Sequence, residues 1–291
     1  MLKLKKVHFA RRRKLSGRSM VGDIIILLFL AVMGVFMALP LVYAVVTAFK
    51  PVEELFLFPP TFWVKRPTLK NFTSLFKLAS NLSVPFSRYI FNSLFICTVG
   101  TVGHMLIASM AAYPLAKYNL RVKWFFNVVV VALLFNGTVL WLPTYVVIAK
   151  LGLINTYWSM IIPALPMPLG LFLMKQFMEQ LPTSIIESAS IDGASQMTIL
   201  RKIIMPAVKP AWLTLLVFAF QNIWNQSSSG MIFDEELKTV IVAMNNISTG
   251  SFIRTGVSMA GSLFLMIPPI LIFIFSQSGI METMAYSGVK E

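Results

Sequence analysis

Hydrophobic positions along the chain are grouped into long runs that are almost free of charged side chains. An α-helix needs about 20 such residues to cross the hydrocarbon core of a bilayer. Six runs meet this length, at residues 24–49, 89–115, 124–149, 155–174, 208–228 and 255–278. The pattern therefore predicts an all-α polytopic membrane protein in which residues 21–281 form one six-span domain.

Composition supports this class and excludes several others. Apolar residues make up 57% of the chain and charged residues 12%, whereas a typical soluble domain has about 25% charged residues. A soluble enzyme, a disordered chain and a disulfide scaffold are therefore excluded. Cys97 and His104 lie two helical turns apart, on one face of the second run. Packing between helices is favoured over a metal site, because no cluster of Cys, His or carboxylate ligands lies nearby.

The net charge of +14 indicates the orientation of the chain rather than a nucleic-acid partner. Lys and Arg are concentrated in residues 1–20, and basic segments next to a span stay in the cytoplasm. We therefore predict a basic cytoplasmic tail there and a second cytoplasmic tail at residues 282–291. The first run could be a cleaved secretory signal, but its length and the lack of a small-residue cleavage site favour an uncleaved helix.

Prolines interrupt the predicted helices, most densely in the fourth run. Pro163, Pro166 and Pro168 lie within six residues there, and each removes a backbone hydrogen bond. Broken backbone inside a membrane is tolerated only where protein or a wet cavity covers it. This pattern favours a transporter or a channel over a passive anchor.

Ionisable and nucleotide-binding groups are missing from the places where an energised carrier would need them. No acidic residue lies within the six runs, although ion-driven carriers commonly use such groups at mid-membrane depth. The chain also lacks a G-x-x-x-x-G-K-[ST] phosphate loop. We expect no catalytic residue, no metal ligand and no cofactor in this chain, so energy for transport must come from another chain.

The polar connection at residues 175–210 carries two helix-start signals. Ser184 stands three residues before Glu187, which is the spacing of a capping box, and predicts a helix from about 184 to 192 that ends at Gly193. Ser195 is then placed to cap a second short helix. Two short helices would form an elbow that docks a partner, whereas an amphipathic loop on lipid headgroups is the alternative.

A family resemblance begins in this connection. The segment from Glu187 to Ala194 reads E-S-A-S-I-D-G-A and is followed by Pro206 and Pro210. It resembles the EAA motif of ABC-importer permeases, with two departures, at Ser188 and Leu200. The resemblance implies a cytoplasmic coupling loop that enters a cleft of an ATP-hydrolysing subunit. The implied coupling residues are Glu187, Ser188, Ala189, Asp192, Gly193, Ala194, Ile199 and Leu200.

Looser motifs extend the resemblance over residues 20–291. Phe49-Lys50-Pro51, Asn92-Ser93 and Trp224-Asn225 resemble segments of maltose-type carbohydrate permeases, in particular the shorter of the two maltose permeases. The resemblance implies the type I ABC-importer permease architecture and import of an oligosaccharide or a related sugar. It also implies a second homologous permease, two ATP-binding subunits that hold ATP and magnesium, and an extracytoplasmic solute-binding protein.

Three other functions stay open at this point. An EAA-type permease for phosphate, an amino acid or another non-sugar solute would differ in its binding protein. A secondary carrier would transport without an ATPase, using sodium sites built from carbonyls and hydroxyls. A membrane scaffold would not transport at all.

Candidate pathway residues lie in the third and fifth runs. Trp141 and Tyr145, at i and i+4, could stack on sugar rings, although an aromatic belt is the alternative. Amide side chains could bind sugar hydroxyls or form hydrogen bonds between helices. These amides are Asn136, Gln221, Asn222 and Asn225.

Overall fold

The computed structural model describes residues 20–59, 61–118, 123–135, 137–226, 230–248 and 254–287. Within these ranges the chain forms helices joined by turns, and no strand occurs there. The first seven helices are α1 (Met20–Ala48), α2 (Val52–Leu55), α3 (Lys70–Ser80), α4 (Phe86–Lys117), α5 (Lys123–Ala132), α6 (Gly137–Lys150) and α7 (Trp158–Ala164).

The second half of the chain contains shorter helices before one long final helix. These are α8 (Pro168–Glu179), α9 (Thr183–Ile191), α10 (Gln196–Ile199), α11 (Met205–Ala207), α12 (Lys209–Trp224), α13 (Val240–Ser248) and α14 (Thr255–Ser287). A π-helical turn at Leu200–Ile204 joins α10 to α11, and a 3₁₀ turn at Glu235–Leu237 precedes α13.

Four segments of the described chain are long and apolar enough to cross a membrane as they stand. They are α1, α4, the α7–α8 segment and the first 26 residues of α14. Two further spans exist only if bent pairs are counted: α5 with α6, bent by 113°, and α10–α11 with α12, bent by 84°. The structure thus supports four to six spans.

The third predicted run is not one straight helix. Leu133, Leu134 and Phe135 each donate a backbone hydrogen bond to the carbonyl three residues earlier, and such bonds tighten and end a helical turn. The chain then resumes as α6 at Gly137. The candidate residue Asn136 lies between the two helices and outside the described residues.

The break predicted in the fourth run is confirmed. Helix α7 ends at Ala164 and α8 begins at Pro168, so the helix is interrupted around Pro166. Proline is tolerated in the first turn of α8 because the amide it lacks would have no partner there.

Helix α14 extends past the predicted end of the sixth span. It continues to Ser287, so residues 282–287 of the predicted tail are helical. Between Gly279 and Gly288 the sequence has no proline or glycine and several good helix formers. Helices α3 and α13, which lie in connections between the predicted spans, were also not predicted.

The buried side chains form two hydrophobic clusters, one towards each end of α4. One cluster joins the first half of α4 to α7, α13, α14 and the end of α12. The other joins the second half of α4 to α8, α9, α10 and the start of α12. Helix α1 packs along α14 but contributes little to either cluster, because Thr47 and Ala48 are its only buried residues.

Candidate functional site

The elbow at residues 183–199 consists of α9 and α10, which meet at Gly193. Gly193 has a φ of 78°, a left-handed conformation that an L side chain disfavours. Its amide donates to the Ser190 carbonyl, and the Ala194 amide donates to the Ala189 carbonyl at 3.0 Å. These bonds form a Schellman motif, which ends α9 and reverses the chain.

The two helix starts differ in how they are capped. The predicted capping box does not form, because α9 already begins at Thr183 and its N-cap, Pro182, makes no side-chain hydrogen bond. Ser184 therefore lies inside the helix, where its carbonyl accepts from the Ser188 hydroxyl at 2.9 Å. The predicted cap at Ser195 is confirmed, since its hydroxyl accepts from the Thr198 amide.

The predicted coupling residues divide into an exposed set and a buried set. Glu187, Ser188, Asp192 and Gly193 are exposed, and Ala194 is half-buried. The remaining three pack into the cluster around the second half of α4; they are Ala189, Ile199 and Leu200. The exposed set forms the surface of the elbow, and the buried set holds the elbow against the helices.

Apolar side chains that the sequence motif did not single out also lie on this surface. Ile191 is 87% exposed, Ile185 46% and Met197 41%. Exposed aliphatic side chains beside a carboxylate, on a polar segment between spans, are typical of a surface that packs against another protein. The sequence could have identified Ile191 as part of this surface, because it directly precedes Asp192 and Gly193 in the motif.

A cleft of about 250 Å³ lies between α4, α8, α12 and the turn after α5. Among the predicted pathway residues that the structure describes, only Asn222 lines it, together with His104, Phe135, Gly170 and Phe218. His104, predicted to pack between helices, is 1% exposed. Its Nδ1 lies 2.8 Å from the Leu165 carbonyl oxygen, which the break before α8 leaves available. The cleft therefore adjoins the broken helix.

The other predicted pathway residues within the described ranges do not line this cleft. Trp141 and Tyr145 stack on each other, with ring centroids 5.7 Å apart and planes 20° apart. Trp141 packs closely on Gly230, since a Cβ added to Gly230 would lie 2.9 Å from the Trp141 ring. Gln221 is half-buried and Asn225 exposed near the end of α12. The aromatic pair and the Asn222 cleft are thus separate candidate surfaces.

At the end of α4 farthest from the elbow, a set of polar contacts joins three segments. We call this set the far-end network; it consists of Tyr89, Asn92, Ser93, Tyr157, Glu235 and Lys238. The Asn92 amide donates to the carbonyls of Glu236 and Lys238, and the Tyr157 hydroxyl donates to Asn92 Oδ1 at 2.8 Å. Sequence patterns missed this network because its members are far apart in the chain.

Glu235 is the charged centre of the far-end network. Its carboxylate accepts from the Lys238 ammonium and, at 2.7 Å, from the Tyr89 hydroxyl. The hydrogen bond from Lys238, aided by the one from Tyr89, holds the pKa of Glu235 below its ordinary value despite partial burial. The carboxylate is therefore charged near neutral pH and fixes the middle of the 231–240 segment against α4.

Asn155 fastens the same segment from the turn between α6 and α7. It adopts a φ of 61°, and its side-chain oxygen accepts from the amides of Phe233 and Asp234 at 3.0 Å. Its amide group also donates to the Asp234 carboxylate at 2.7 Å. Segment 231–240 is consequently held on two sides.

Comparison with known proteins places the fold and these surfaces in a family. Residues 104–281 match the family described as the binding-protein-dependent transport system inner membrane component. The chain belongs to this family. The match includes the elbow, the cleft and the 231–240 segment of this transport component.

Individual relatives cover most of this transport component. Protein LplC of Bacillus subtilis is 33% identical over 234 residues, which are 78% of this chain and 74% of the relative. The arabinooligosaccharides transport system permease protein AraQ of Halalkalibacterium halodurans is 28% identical over 90% of this chain and 93% of the relative.

A solved structure has the same fold. It is a chain of a bacterial ABC transporter involved in the import of the acidic polysaccharide alginate, with a TM-score of 0.74 and 20% identity. The match covers 90% of this chain and 98% of that chain. The type I ABC-permease fold expected from the sequence is thereby confirmed.

Proposed function

We propose that this transport component is the permease subunit of an ABC importer that brings an oligosaccharide or a related sugar into the cell. The sugar assignment is supported by the AraQ relative, which covers nearly the whole chain and is named for arabinooligosaccharide transport. The chain itself supplies a path and no catalytic group. The partner subunits bind ATP and magnesium and hydrolyse the ATP.

The observation that carries this proposal is the exposed face of the elbow. Glu187 and Ile191 lie one turn apart on the exposed side of α9, and Ile185 and Asp192 are also exposed. Burial of such aliphatic side chains drives association, and the charges orient the partner. The face suits an ATP-hydrolysing subunit, which would push on the helices through α9.

Orientation follows from the distribution of basic residues. The elbow faces the cytoplasm in this proposal, together with the tail at residues 1–20 and the C-terminus, because Lys and Arg are more frequent on that side. The far-end network then faces outward. A solute-binding protein would dock near it, and a second homologous permease would complete the translocation path.

Two surfaces are candidates for contact with the sugar. The Trp141–Tyr145 pair leaves aromatic faces on which a sugar ring can stack, and Trp141 is 47% exposed. Asn222 lines the cleft next to the broken helix, where its amide can bind a hydroxyl. Gln221 is its neighbour on α12, and Asn225 directly follows that helix.

The deciding experiment purifies the chain in mild detergent with co-expressed candidate partner subunits and measures ATP-dependent uptake in proteoliposomes. The double variant Glu187→Ala/Ile191→Ala should insert normally but lose co-purifying ATPase and at least roughly tenfold of uptake, since interface hot spots cost about 2 kcal/mol or more each. Ile25→Ala, at an equally apolar and 62% exposed side chain of α1, is the matched control.

Three results would overturn parts of the proposal. Uptake without any ATPase would indicate a secondary carrier, and absence of transport would indicate a scaffold. A co-purified binding protein that retains phosphate or an amino acid but no sugar would exclude the sugar assignment while leaving the importer intact.

A further inference from the structure

The elbow is tied to α4 by two tyrosines that share one acceptor. Tyr113 and Tyr118 both donate from their hydroxyls to Gln196 Oε1, at 2.7 and 2.6 Å. Their rings meet edge to face with centroids 5.8 Å apart. Gln196 is the first residue of α10, so this contact grips the elbow directly after its turn.

A third side chain from the same end of α4 holds the other side of the elbow. Lys117 donates to the carbonyls of Glu179 and Leu181, just before α9 begins at Thr183. An ammonium is favourable at such a position because the last carbonyls of α8 lack helical partners. We call Tyr113, Lys117, Tyr118 and Gln196 the elbow clasp. It holds α9 from both of its ends.

Helix α4 connects this clasp to the far-end network. It is continuous over 32 residues, which corresponds to about 48 Å, or the full thickness of a bilayer. Near its other end, Tyr89 and Asn92 hold Glu235 and the Lys238 carbonyl, and the Ser93 hydroxyl accepts from the Val240 amide at 2.8 Å. In its middle, His104 contacts the carbonyl of Leu165.

We infer that Tyr113, Tyr118 and Gln196 are positioning residues that make α4 move together with the elbow, so that a push on α9 displaces the 231–240 segment at the other end of the helix. The inference rests on the proposed function, because the push comes from the ATPase. A packed helix transmits displacement along its axis, whereas flexible connections would absorb it. Through the clasp, the elbow and α4 move together as one rigid body.

The test removes the two hydroxyls and keeps the two rings. Tyr113→Phe/Tyr118→Phe should leave insertion, co-purification of the ATPase and its basal hydrolysis unchanged. Stimulation of hydrolysis by sugar-loaded binding protein should fall roughly fivefold or more, the usual range for loss of coupling between sites, and uptake should fall with it. The concentration of binding protein needed for half-stimulation should stay the same.

Three comparisons separate coupling from mere structural support. Tyr43→Phe, at a tyrosine of α1 whose ring packs on Phe62, should behave as wild type. Gln196→Glu keeps an oxygen acceptor and should retain stimulation, whereas Gln196→Leu should lose it. Adding Asn92→Ala to the tyrosine double variant should cause little further loss of stimulation. Both changes break the same connection, which runs along α4 from the elbow to the 231–240 segment.

The outcomes distinguish this inference from the proposed function. If wild-type protein shows no stimulated hydrolysis or uptake, the proposed function fails. If wild type is stimulated and the tyrosine double variant is equally stimulated, the clasp does not couple. Independent, multiplicative losses from the clasp and from Asn92→Ala would also overturn the role of α4 as the connecting element.

Discussion

Gly193 illustrates how one backbone conformation shapes the elbow. Gly193 has a φ of 78°, and a Cβ added to it would meet no other atom within 4 Å. The residue is therefore constrained by its dihedral angle and not by crowding. Its two flanking hydrogen bonds close α9 and set the direction of α10. The cost of any replacement is therefore conformational.

Gly193→Ala should destabilise the elbow by about 1–2 kcal/mol, the cost of a left-handed L residue. Faster amide hydrogen exchange across residues 183–199 should reveal it. Gly34→Ala is the control, since a Cβ there meets nothing within 4 Å and helical Ala is favoured over Gly. Unchanged exchange in the Gly193 variant would contradict the assigned strain.

Gly170 is constrained by crowding instead. A Cβ at Gly170 would lie 2.0 Å from Nε2 of His104, whose ring is buried and held by the Leu165 carbonyl. The helices can approach this closely only where a side chain is absent.

Gly170→Ala should lower the stability of the purified protein by at least about 1–3 kcal/mol, the usual cost of overpacking. Thermal unfolding in detergent measures the change. His104→Ala in the same chain should recover part of the loss because it removes the clashing ring. A double variant no more stable than Gly170→Ala alone would show that the clash is not the cause.

At the scale of elements, the far-end network depends on pH through Glu235. Its pKa is lowered in the folded protein, so its contribution to stability is present above the unfolded value of about 4.3 and is lost as pH falls towards the folded pKa. The loss should release the 3₁₀ turn at Glu235–Leu237 from α4.

Glu235→Gln should lower the unfolding temperature at pH 7, and its difference from wild type should shrink below about pH 4.3. Melting curves in detergent at pH 7 and pH 4 test this. Glu53→Gln, at an exposed glutamate, controls for general charge effects. A difference that is constant or grows on acidification would contradict the assigned contacts.

The elements also show where periodicity succeeds and where it does not. Apolar runs predicted α1, α4 and α14 because each is one uninterrupted helix, and the proline trio predicted the break before α8. Periodicity did not predict the bend before Gly137, the extension of α14 to Ser287, or α13. Local hydrogen bonds and packing decide these features.

At the scale of the molecule, hydrophobicity and burial are only loosely related. Phe36 on α1 is 67% exposed, whereas Met174 on α8 is fully buried. In a membrane, lipid can cover apolar side chains that a soluble protein would have to bury away from water. The apolar runs therefore predict where the chain spans but not which side chains form its core.

Met174→Ala should destabilise the purified protein by about 2–5 kcal/mol because it leaves a cavity. Phe36→Ala should change stability by less than about 0.5 kcal/mol, as exposed substitutions usually do. Denaturant unfolding in the same detergent compares the two. A loss at Phe36 as large as that at Met174 would show that Phe36 is not exposed in the purified protein.

The candidate site was predictable to the extent that its residues are consecutive. The segment from Glu187 to Ala194 has a recognisable order, and the Ser195 cap and the Gly193 turn depend on neighbours in the chain. Glu187, Ser188, Asp192 and Gly193 indeed reach the surface, but the pattern could not separate them from buried Ile199 and Leu200. The pattern also did not predict that Ile191 is exposed.

By itself the sequence determined the helical membrane class, four long apolar segments, the broken fourth run and the turn of the elbow, because each depends on hydropathy or backbone preferences within a few residues. Only the tertiary structure decided which side chains are buried and which distant groups meet. The pairing of Tyr113 and Tyr118 with Gln196, and of Tyr89 with Glu235, joins residues 78 or more positions apart. Such contacts are set by helix packing, which no local pattern encodes.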